Sequence, residues 1–178
     1  MVIEMNREIT PDEAKEFTCV LMNASQLLAK PTKKLSNVFG FCVKMGIFVA
    51  FATLFFGFFV LKGDRDAYTL TGMIIAALCI FFLAVFAFKI NQVYKTILKR
   101  EADHVIITLD ENGIDYTVIN NKRFQVTWDN VSFVRVFKQA AYIFPKEITG
   151  VIFSLELNHL EELKSFFKEH SMDIEVIE

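Results

Sequence analysis

The chain has 178 residues, of which 53% are hydrophobic and 20 are Phe, and its mean hydropathy is +0.38. These values are too apolar for one water-soluble domain of this length, and they exclude an unstructured chain. The formal net charge of -2 excludes a basic nucleic-acid-binding protein, so we expect no nucleic-acid partner.

The first 34 residues predict one amphipathic cytoplasmic helix. Thr10, Pro11 and Glu13 have the pattern of a capping box with proline at the first helical position. The apolar stripe can lie on the membrane surface or against the C-terminal domain. We favour the domain, because the polar face lacks the basic bias of a membrane-surface helix. The stripe recurs at spacings of three and four: Phe17, Val20, Leu21, Ala24, Leu27 and Leu28.

Two apolar stretches predict transmembrane helices at about 38–61 and 68–88. The first contains one charged residue, Lys44, and the second contains none. About 20 apolar helical residues cross a bilayer core, so each stretch is long enough to span it once. Because only residues 62–66 separate the stretches, we expect an antiparallel transmembrane hairpin within 35–102, with a helical extension into the cytoplasm.

The distribution of Lys and Arg around the hairpin predicts that both termini lie in the cytoplasm. Seven basic residues flank the outer ends of the spans, whereas two lie in the connecting loop. The seven are Lys30, Lys33, Lys34, Lys89, Lys95, Lys99 and Arg100, and the two are Lys62 and Arg65.

Small residues recur along one face of each predicted span. The first stripe is Gly46, Ala50, Thr53 and Gly57, and the second is Gly72, Ala76, Cys79 and Leu83. In an antiparallel hairpin, equal depth pairs 57 with 72, 53 with 76, 50 with 79 and 46 with 83. Small residues let helix backbones approach closely in lipid, so we expect the two stripes to pack within one chain. Packing of a stripe against a second copy, in a homo-oligomer, is the alternative.

Lys44 is the one charged residue within the predicted spans. A lysine at the bilayer centre costs roughly 2.5 to 3.5 kcal/mol, which favours a role in an ion path or in contact with lipid phosphate. However, Lys44 lies only about 9 Å along a helix from Val38 at the cytoplasmic side. Its long side chain can reach the headgroups from there, so we interpret Lys44 as structural.

From residue 103 onwards the apolar period changes to two, which predicts strands. The predicted strands cover 104–109, 114–119, 124–128, 131–138, 141–144 and 151–157, with turns at Asp110–Gly113 and Asn120–Asn121. Asn158 and Glu161 predict a capping box for a helix that ends near His170, and 172–176 predicts an edge strand. We therefore expect 103–178 to form a bent antiparallel sheet packed on one helix, with Trp128 in the core. The whole chain is then an α+β membrane protein.

No motif in the sequence predicts catalysis or metal binding. The three cysteines form no CxxC pair, and His104, His159 and His170 form no HxxxH spacing. Glycine-rich phosphate loops and nucleophile motifs are absent from the sequence, and the predicted spans contain no Asp, Glu or His. We expect no enzyme activity, no metal and no cofactor.

Five basic residues lie between positions 122 and 146, where Asp129 is the only acid. If the strands bring them together, they form a patch for anionic lipid headgroups or for an acidic partner. A solvated sheet face is the simpler interpretation. The five residues are Lys122, Arg123, Arg135, Lys138 and Lys146.

The layout of the chain resembles the YcxB-like family of bacterial membrane proteins. The resemblance comes from EITPDEAKEF at 8–17, two spans with a short outer loop, LDENGI at 109–114, WDNV at 128–131 and IFPK at 143–146. The C-terminal region of that family is similar to a bacterial pleckstrin-homology-like (PH-like) domain. The resemblance therefore implies a bacterial cytoplasmic membrane protein with a PH-like domain and without catalytic residues.

Two classes of function follow from these features. The first is a non-enzymatic, membrane-anchored protein whose cytoplasmic domain binds a protein or lipid partner, for example at a sheet edge. The second is a subunit of a small oligomeric channel or transporter. We favour the first, because Lys44 and the threonines of the spans do not line a continuous polar path.

Overall fold

The computed structural model describes residues 2–6, 9–63, 66–99, 104–118, 122–147 and 151–178. It is a mixture of helix and sheet, compatible with the predicted α+β class, and it contains two compact units. One unit is Asn37–Val93, and the other joins Met1–Ser36 to Tyr94–Glu178. The elements are, in order, β1 (Val2–Asn6), α1 (Pro11–Met22), α2 (Ala24–Ala29), α3 (Val38–Leu61), α4 (Ala67–Leu98), β2 (His104–Leu109), β3 (Gly113–Val118), β4 (Lys122–Thr127), β5 (Val131–Val136), β6 (Ala140–Pro145), β7 (Phe153–Glu156), α5 (Leu160–Glu169) and β8 (Glu175–Ile177).

The N-terminal helix begins as predicted but does not continue as one helix. The Thr10 hydroxyl accepts a bond from the Glu13 N–H at 3.3 Å, and the Thr10 N–H donates to the Glu13 carboxylate at 2.9 Å, which confirms the capping box. The prediction of a single helix is wrong, because the chain breaks between α1 and α2 at Asn23. The Asn23 amide donates to the Cys19 carbonyl at 2.7 Å and to the Ser36 carbonyl at 3.2 Å. Such side-chain bonds compete with helical bonds.

Helices α3 and α4 are long and apolar enough to cross a membrane. Their most apolar stretches are only 6% and 11% buried, so bulky side chains face outward along both helices. Asn37 caps the first helix through the Gly40 N–H at 2.9 Å, and Asp66 precedes the second and accepts from the Thr69 N–H at 2.7 Å. The predicted turn at residues 64–65 lies outside the described residues.

The described strands form two four-stranded sheets, ordered β1-β2-β3-β4 and β7-β6-β5-β8. All neighbouring strands are antiparallel except β5 and β8, which are parallel. The predicted strands from 104 to 157 correspond to β2–β7, and the predicted edge strand corresponds to β8. The predicted turn at Asn120–Asn121 lies outside the described residues.

Strand β1 is an element that the sequence analysis did not predict. It pairs with β2 from Val2 opposite Thr108 to Asn6 opposite His104. Residues 1–34, which we expected to form a separate helical segment, therefore contribute a strand to the first sheet. This pairing accounts for the grouping of residues 1–36 with the C-terminal domain in one compact unit.

The core of this unit lies between the inner faces of the two sheets and helix α5. Trp128 lies at the rim of this core, where its indole N–H donates to the Asp110 carbonyl at 2.7 Å. Its ring centroid is 5.4 Å from that of Phe167. The core residues include Ile3, Ile107, Leu109 and Ile114 from the first sheet, Val134, Ile143 and Leu155 from the second, and Leu163, Phe166 and Phe167 from α5.

The hairpin between β2 and β3 is confirmed, and its glycine is required by close packing. The Asp110 carboxylate accepts bonds from the N–H groups of Asn112 and Gly113 at 2.8 and 2.9 Å. A Cβ atom on Gly113 would lie 2.2 Å from the Val126 carbonyl oxygen, which is closer than real Cβ contacts allow. Any larger residue at this position would push β3 and β4 apart.

The predicted capping box at the start of α5 is wrong. A 3-10 turn over Leu157–His159 leads into the helix, and no side-chain cap bond forms at His159. Asn158 instead donates to Glu156 at 3.1 Å, and Glu161 accepts from Lys164 at 2.9 Å. The two residues of the predicted box therefore have other hydrogen-bond partners.

Candidate functional site

The described side chains of the predicted basic patch do not come together in the structure. Lys138 lies in the turn between β5 and β6, whereas Lys146 follows the other end of β6. Five residue steps of about 3.4 Å separate the ends of this strand by about 17 Å. Arg135 is buried on β5, and the side chains of Lys122 and Arg123 lie outside the described residues. Arg135, Lys138 and Lys146 therefore do not form the patch that we considered beside a solvated sheet face, and the burial of Arg135 departs from both interpretations.

The outer face of the second sheet is covered by helix α1. On this face the rings of Phe133 and Phe144 stack with centroids 4.7 Å apart. Beside them, the ring of Tyr142 lies 5.5 Å from that of Phe17 on α1. All four side chains are at most 8% exposed. The prediction that the apolar stripe of the N-terminal helix docks on the C-terminal domain is confirmed.

A single carboxylate on α1 receives the donors at the turn between β5 and β6. The Gln139 N–H donates to both Glu16 oxygens at 3.1 Å, and the Ala140 N–H donates at 3.3 Å. The Tyr142 hydroxyl donates to the same carboxylate at 3.3 Å. Bonds from several donors to one charged acceptor hold α1 in register on the sheet. Nothing in the sequence distinguishes Glu16 from the other acidic residues of this helix.

Arg135 is a buried cation on the same outer face. It lies opposite Tyr142 in the β5–β6 register, and its guanidinium carbon is 4.9 Å from the centroid of the Phe137 ring. Only 8% of Arg135 is exposed. Its Nε and Nη1 atoms are buried and have no hydrogen-bond partner among the described residues. Burial lowers the pKa of Arg135 from its ordinary value, because removal from water disfavours the charged form.

The helical pair brings some of the predicted small residues together. A Cβ atom on Gly46 would lie 3.8 Å from the Leu83 side chain, which is its predicted partner. By contrast, Ala50 and Cys79 are both exposed, so the prediction that these two pack in the interface is wrong. Val49, which is 5% exposed, is the buried neighbour on α3 instead.

The ring of Phe56 explains why the two helices do not pack through all of the predicted small residues. A Cβ atom on Gly72 would lie 2.4 Å from the Phe56 ring, whereas no described atom lies within 4 Å of one on Gly57. The ring thus takes the place at Gly72 that we predicted for Gly57. Ala76 is buried at 6% exposure, and the Thr53 hydroxyl donates to the Val49 carbonyl at 2.8 Å.

Lys44 is exposed, six residues after the first residue of α3. This position agrees with a side chain that extends from the helix toward one of its ends. The interpretation of Lys44 as structural stays a prediction, as does the alternative role in an ion path or at lipid phosphate.

A groove of about 600 Å³ lies between the β2–β3 turn and the end of α5, and several of its polar groups already have local partners. The Asp110 carboxylate binds the turn amides, and His170 Nδ1 lies 2.9 Å from the Phe166 carbonyl oxygen. Within the part of the chain that the structure describes, no three His, Cys, Asp or Glu side chains are grouped to hold a metal ion. The groove is lined by Leu109, Asp110, Glu111, Asn112, Phe166, Glu169 and His170.

Comparisons with protein families, curated proteins and solved structures found no match to this chain. The interpretation of the site therefore depends on the residues of this chain alone. Two features of the outer face of the second sheet carry this interpretation. One is the carboxylate of Glu16 with its donors, and the other is Arg135, whose buried Nε and Nη1 atoms have no hydrogen-bond partner among the described residues.

Proposed function

We propose that this chain is a non-enzymatic binding protein of the bacterial cytoplasmic membrane and belongs to the YcxB-like family. It spans the membrane twice, both termini are cytoplasmic, and its PH-like domain binds a protein or lipid partner. The PH-like assignment is supported by two four-stranded sheets and by helix α5, which packs on their shared core near the C-terminus.

The observation that carries the membrane assignment is the outward-facing apolar surface of α3 and α4. Phe51 and Leu54 are 70% and 71% exposed near the middle of α3, and Phe82 is 66% exposed on α4. Exposure of so many large apolar groups to water is unfavourable at about 25 cal/mol for each Å². Lipid is the solvent in which such helices are stable.

A binding role, rather than catalysis, is supported by how the polar groups of the domain are used. Glu16, Asp110 and His170 bind backbone or side-chain groups of the domain itself. Arg135 has buried guanidinium nitrogens without such partners. A cation alone binds an anionic group but provides no nucleophile or general base at neutral pH.

Reporter fusions test the proposed topology. We expect alkaline phosphatase fused after Glu178 to be inactive, because the C-terminus stays in the cytoplasm. The same reporter inserted after Lys62, between α3 and α4, should be active and serves as the control. An active C-terminal fusion would show that the proposed orientation is wrong.

Capture of partners from native membranes tests the binding role. We expect a specific protein or lipid to be enriched with the full-length chain and lost with Phe144→Ala. Phe144 is fully buried in the domain, so this variant disrupts the domain and leaves the sequence of both long helices unchanged. Unitary currents from the purified protein in a planar bilayer would instead support the channel hypothesis and contradict the proposal.

A further inference from the structure

We propose that helix α1 is a detachable cover that controls access to the outer face of the second sheet. The proposal rests on the binding function above for the existence of a partner, and it names the face that the partner contacts. Two neighbouring features carry it. One is the Glu16 carboxylate, which binds the turn between β5 and β6, and the other is the buried guanidinium of Arg135, whose Nε and Nη1 atoms have no hydrogen-bond partner among the described residues.

The docked helix covers aromatic side chains of the sheet. The ring of Phe17 on α1 lies 5.5 Å from that of Tyr142, and Phe133 and Phe144 are buried on the same face. An amphipathic helix that packs on an apolar surface is a common mode of recognition between separate chains. Here the helix belongs to the same chain, so it occupies the face when no partner is bound.

The carboxylate of Glu16 links the polar edge of α1 to the sheet. It accepts bonds from the N–H groups of Gln139 and Ala140 at 3.1 and 3.3 Å and from the Tyr142 hydroxyl at 3.3 Å. If α1 moved away, water would replace the carboxylate at these donors and the donors at the carboxylate. Detachment therefore exchanges these bonds for bonds to water and leaves none of these groups buried without a partner.

Burial of Arg135 is an unfavourable feature of the docked state. The side chain is 8% exposed, and a charge that is removed from water is unfavourable unless hydrogen bonds replace the lost hydration. The Phe137 ring, 4.9 Å from the guanidinium carbon, interacts favourably with the cation but accepts no conventional hydrogen bond from Nε or Nη1. Detachment of α1 would expose these donors to water, so Arg135 shifts the equilibrium toward the open state.

The connections at both ends of α1 permit this movement. Strand β1 ends at Asn6 and α1 begins at Pro11, so four residues join them. A connection of four residues can extend to about 13 Å. At the other end, the chain leaves helical geometry at Asn23, between α1 and α2. The helix can therefore leave the sheet while β1 stays paired with β2.

The uncovered face fits an amphipathic helix that carries a carboxylate. The N–H groups of Gln139 and Ala140 and the Tyr142 hydroxyl already converge on one carboxylate group. The rings of Phe133 and Phe144 on the same face provide an apolar contact surface. A partner helix with an acidic residue followed by an aromatic residue, as in the sequence of α1 itself, has the chemistry to replace α1.

The first experiment measures whether α1 opens separately from the rest of the domain. Cys19 on α1 is 7% exposed, so its reaction with a water-soluble maleimide reports detachment of the helix. The full-length chain, with Cys42→Ser and Cys79→Ser, is labelled in phosphatidylcholine nanodiscs. We expect Cys19 to react at least tenfold faster than complete unfolding permits, as calculated from Trp128 fluorescence in urea. Reaction at the rate set by complete unfolding would overturn the proposal.

A cysteine in the core is the matched control. Ala141 is fully buried within the core, so Ala141→Cys, in a chain whose three native cysteines are replaced by Ser, places the thiol away from α1. We expect this thiol to react only at the rate set by complete unfolding. Equal acceleration at positions 19 and 141 would show that the domain opens as a whole, and it would overturn the proposal.

The second experiment changes the two features in opposite directions. We expect Glu16→Gln to raise the labelling rate of Cys19 at least fivefold, because it weakens the bonds that hold α1. Arg135→Met should lower this rate at least threefold, because it removes the buried unpaired donors. Lys138→Met, which removes a positive charge at an exposed position, is the control and should change the rate less than twofold. An unchanged rate in Glu16→Gln, or an unchanged or higher rate in Arg135→Met, would overturn the proposal. If Arg135→Met does not fold, the first experiment decides.

The third experiment tests the class of partner with a peptide of residues 9–22 that carries Cys19→Ser and a fluorescent label. It is added to the full-length Glu16→Gln variant in nanodiscs, where the cover competes less, and empty nanodiscs measure binding to lipid alone. We expect saturable binding, with a Kd at least fivefold higher when the peptide also carries Glu16→Gln. No saturable binding, or an equal Kd for both peptides, would overturn the assignment of an acidic helix as partner. None of these measurements uses a native partner, so they can fail while capture from native membranes supports the proposed function, and the reverse.

Discussion

Phenylalanine has opposite environments in the two units of this protein. In the unit of residues 37–93, eight of twelve Phe side chains are at least 53% exposed, among them Phe48, Phe51 and Phe82. In the other unit, six of eight are at most 8% exposed, among them Phe133, Phe144 and Phe153. The same residue type therefore fills a core in one unit and covers a surface in the other.

This contrast teaches that apolar pattern, rather than apolar content, indicates which solvent surrounds an element. Helix α1 has an apolar stripe, and the structure covers that stripe with a sheet. The most apolar stretches of α3 and α4 have no polar face, and most of their surface remains uncovered. If the two units depend on different solvents, a substitution in one unit should leave the stability or membrane insertion of the other unchanged.

The largest effect is expected in the core of the domain. Phe144→Ala removes a fully buried ring that stacks on Phe133, so we expect the free energy of unfolding to fall by about 3 to 5 kcal/mol. Trp128 is the single tryptophan, so its fluorescence during urea unfolding reports on this unit alone. Phe124→Ala, at a side chain that is 38% exposed, is the control and should cost less than about 1 kcal/mol. Similar losses of unfolding free energy in both variants would contradict the contrast between buried and exposed Phe side chains.

The next effect is expected at the outward surface of α3. Phe51→Lys places a charge near the middle of this helix, which is expected to cost about 2.5 to 3.5 kcal/mol in membrane insertion. We expect less protein in the carbonate-resistant membrane fraction and an unchanged unfolding midpoint of Trp128 fluorescence. Phe41→Lys, near the end of the helix, is the matched control with a smaller loss. Full insertion of Phe51→Lys would show that α3 is not surrounded by lipid.

A smaller effect is expected where α1 docks on the sheet. Glu16→Gln replaces a charged acceptor of bonds from Gln139, Ala140 and Tyr142, so we expect a loss of about 1 to 3 kcal/mol in the unfolding free energy. Asp12→Asn, at a side chain that is 75% exposed, is the control and should stay within about 0.5 kcal/mol of wild type. If Glu16→Gln is equally neutral, the carboxylate does not hold the helix.

The smallest effect is a pH dependence at the domain surface. Bonds from Lys164 to Glu161 and Glu178 raise the pKa of Lys164 above its ordinary value of about 10.5. A raised pKa in the folded state stabilises the fold below that ordinary value, and this stabilisation is lost as the pH rises through the raised pKa. We expect the wild-type unfolding midpoint to approach that of Lys164→Met as the pH rises above about 10.5 and through the raised pKa. A constant difference between the two proteins would show that these bonds add no stability.

The sequence by itself determined the elements that depend on local pattern. The two apolar helices, the capping box at Thr10 and the strands from β2 to β7 all follow from spacings within a few residues. The contact between Gly46 and Leu83 was also predicted correctly, because residue numbers alone show which positions lie at equal depth in an antiparallel hairpin.

Only the tertiary structure decided which distant segments meet. Strand β1 pairs with β2 about a hundred residues later in the chain, and Glu16 reaches Gln139 across 123 positions. Burial of Arg135 likewise depends on the packing of helix and sheet, since its local sequence is typical of a strand with an exposed cation. Local periodicity specifies which face of an element is apolar, whereas the partner of that face is selected by packing of the whole chain.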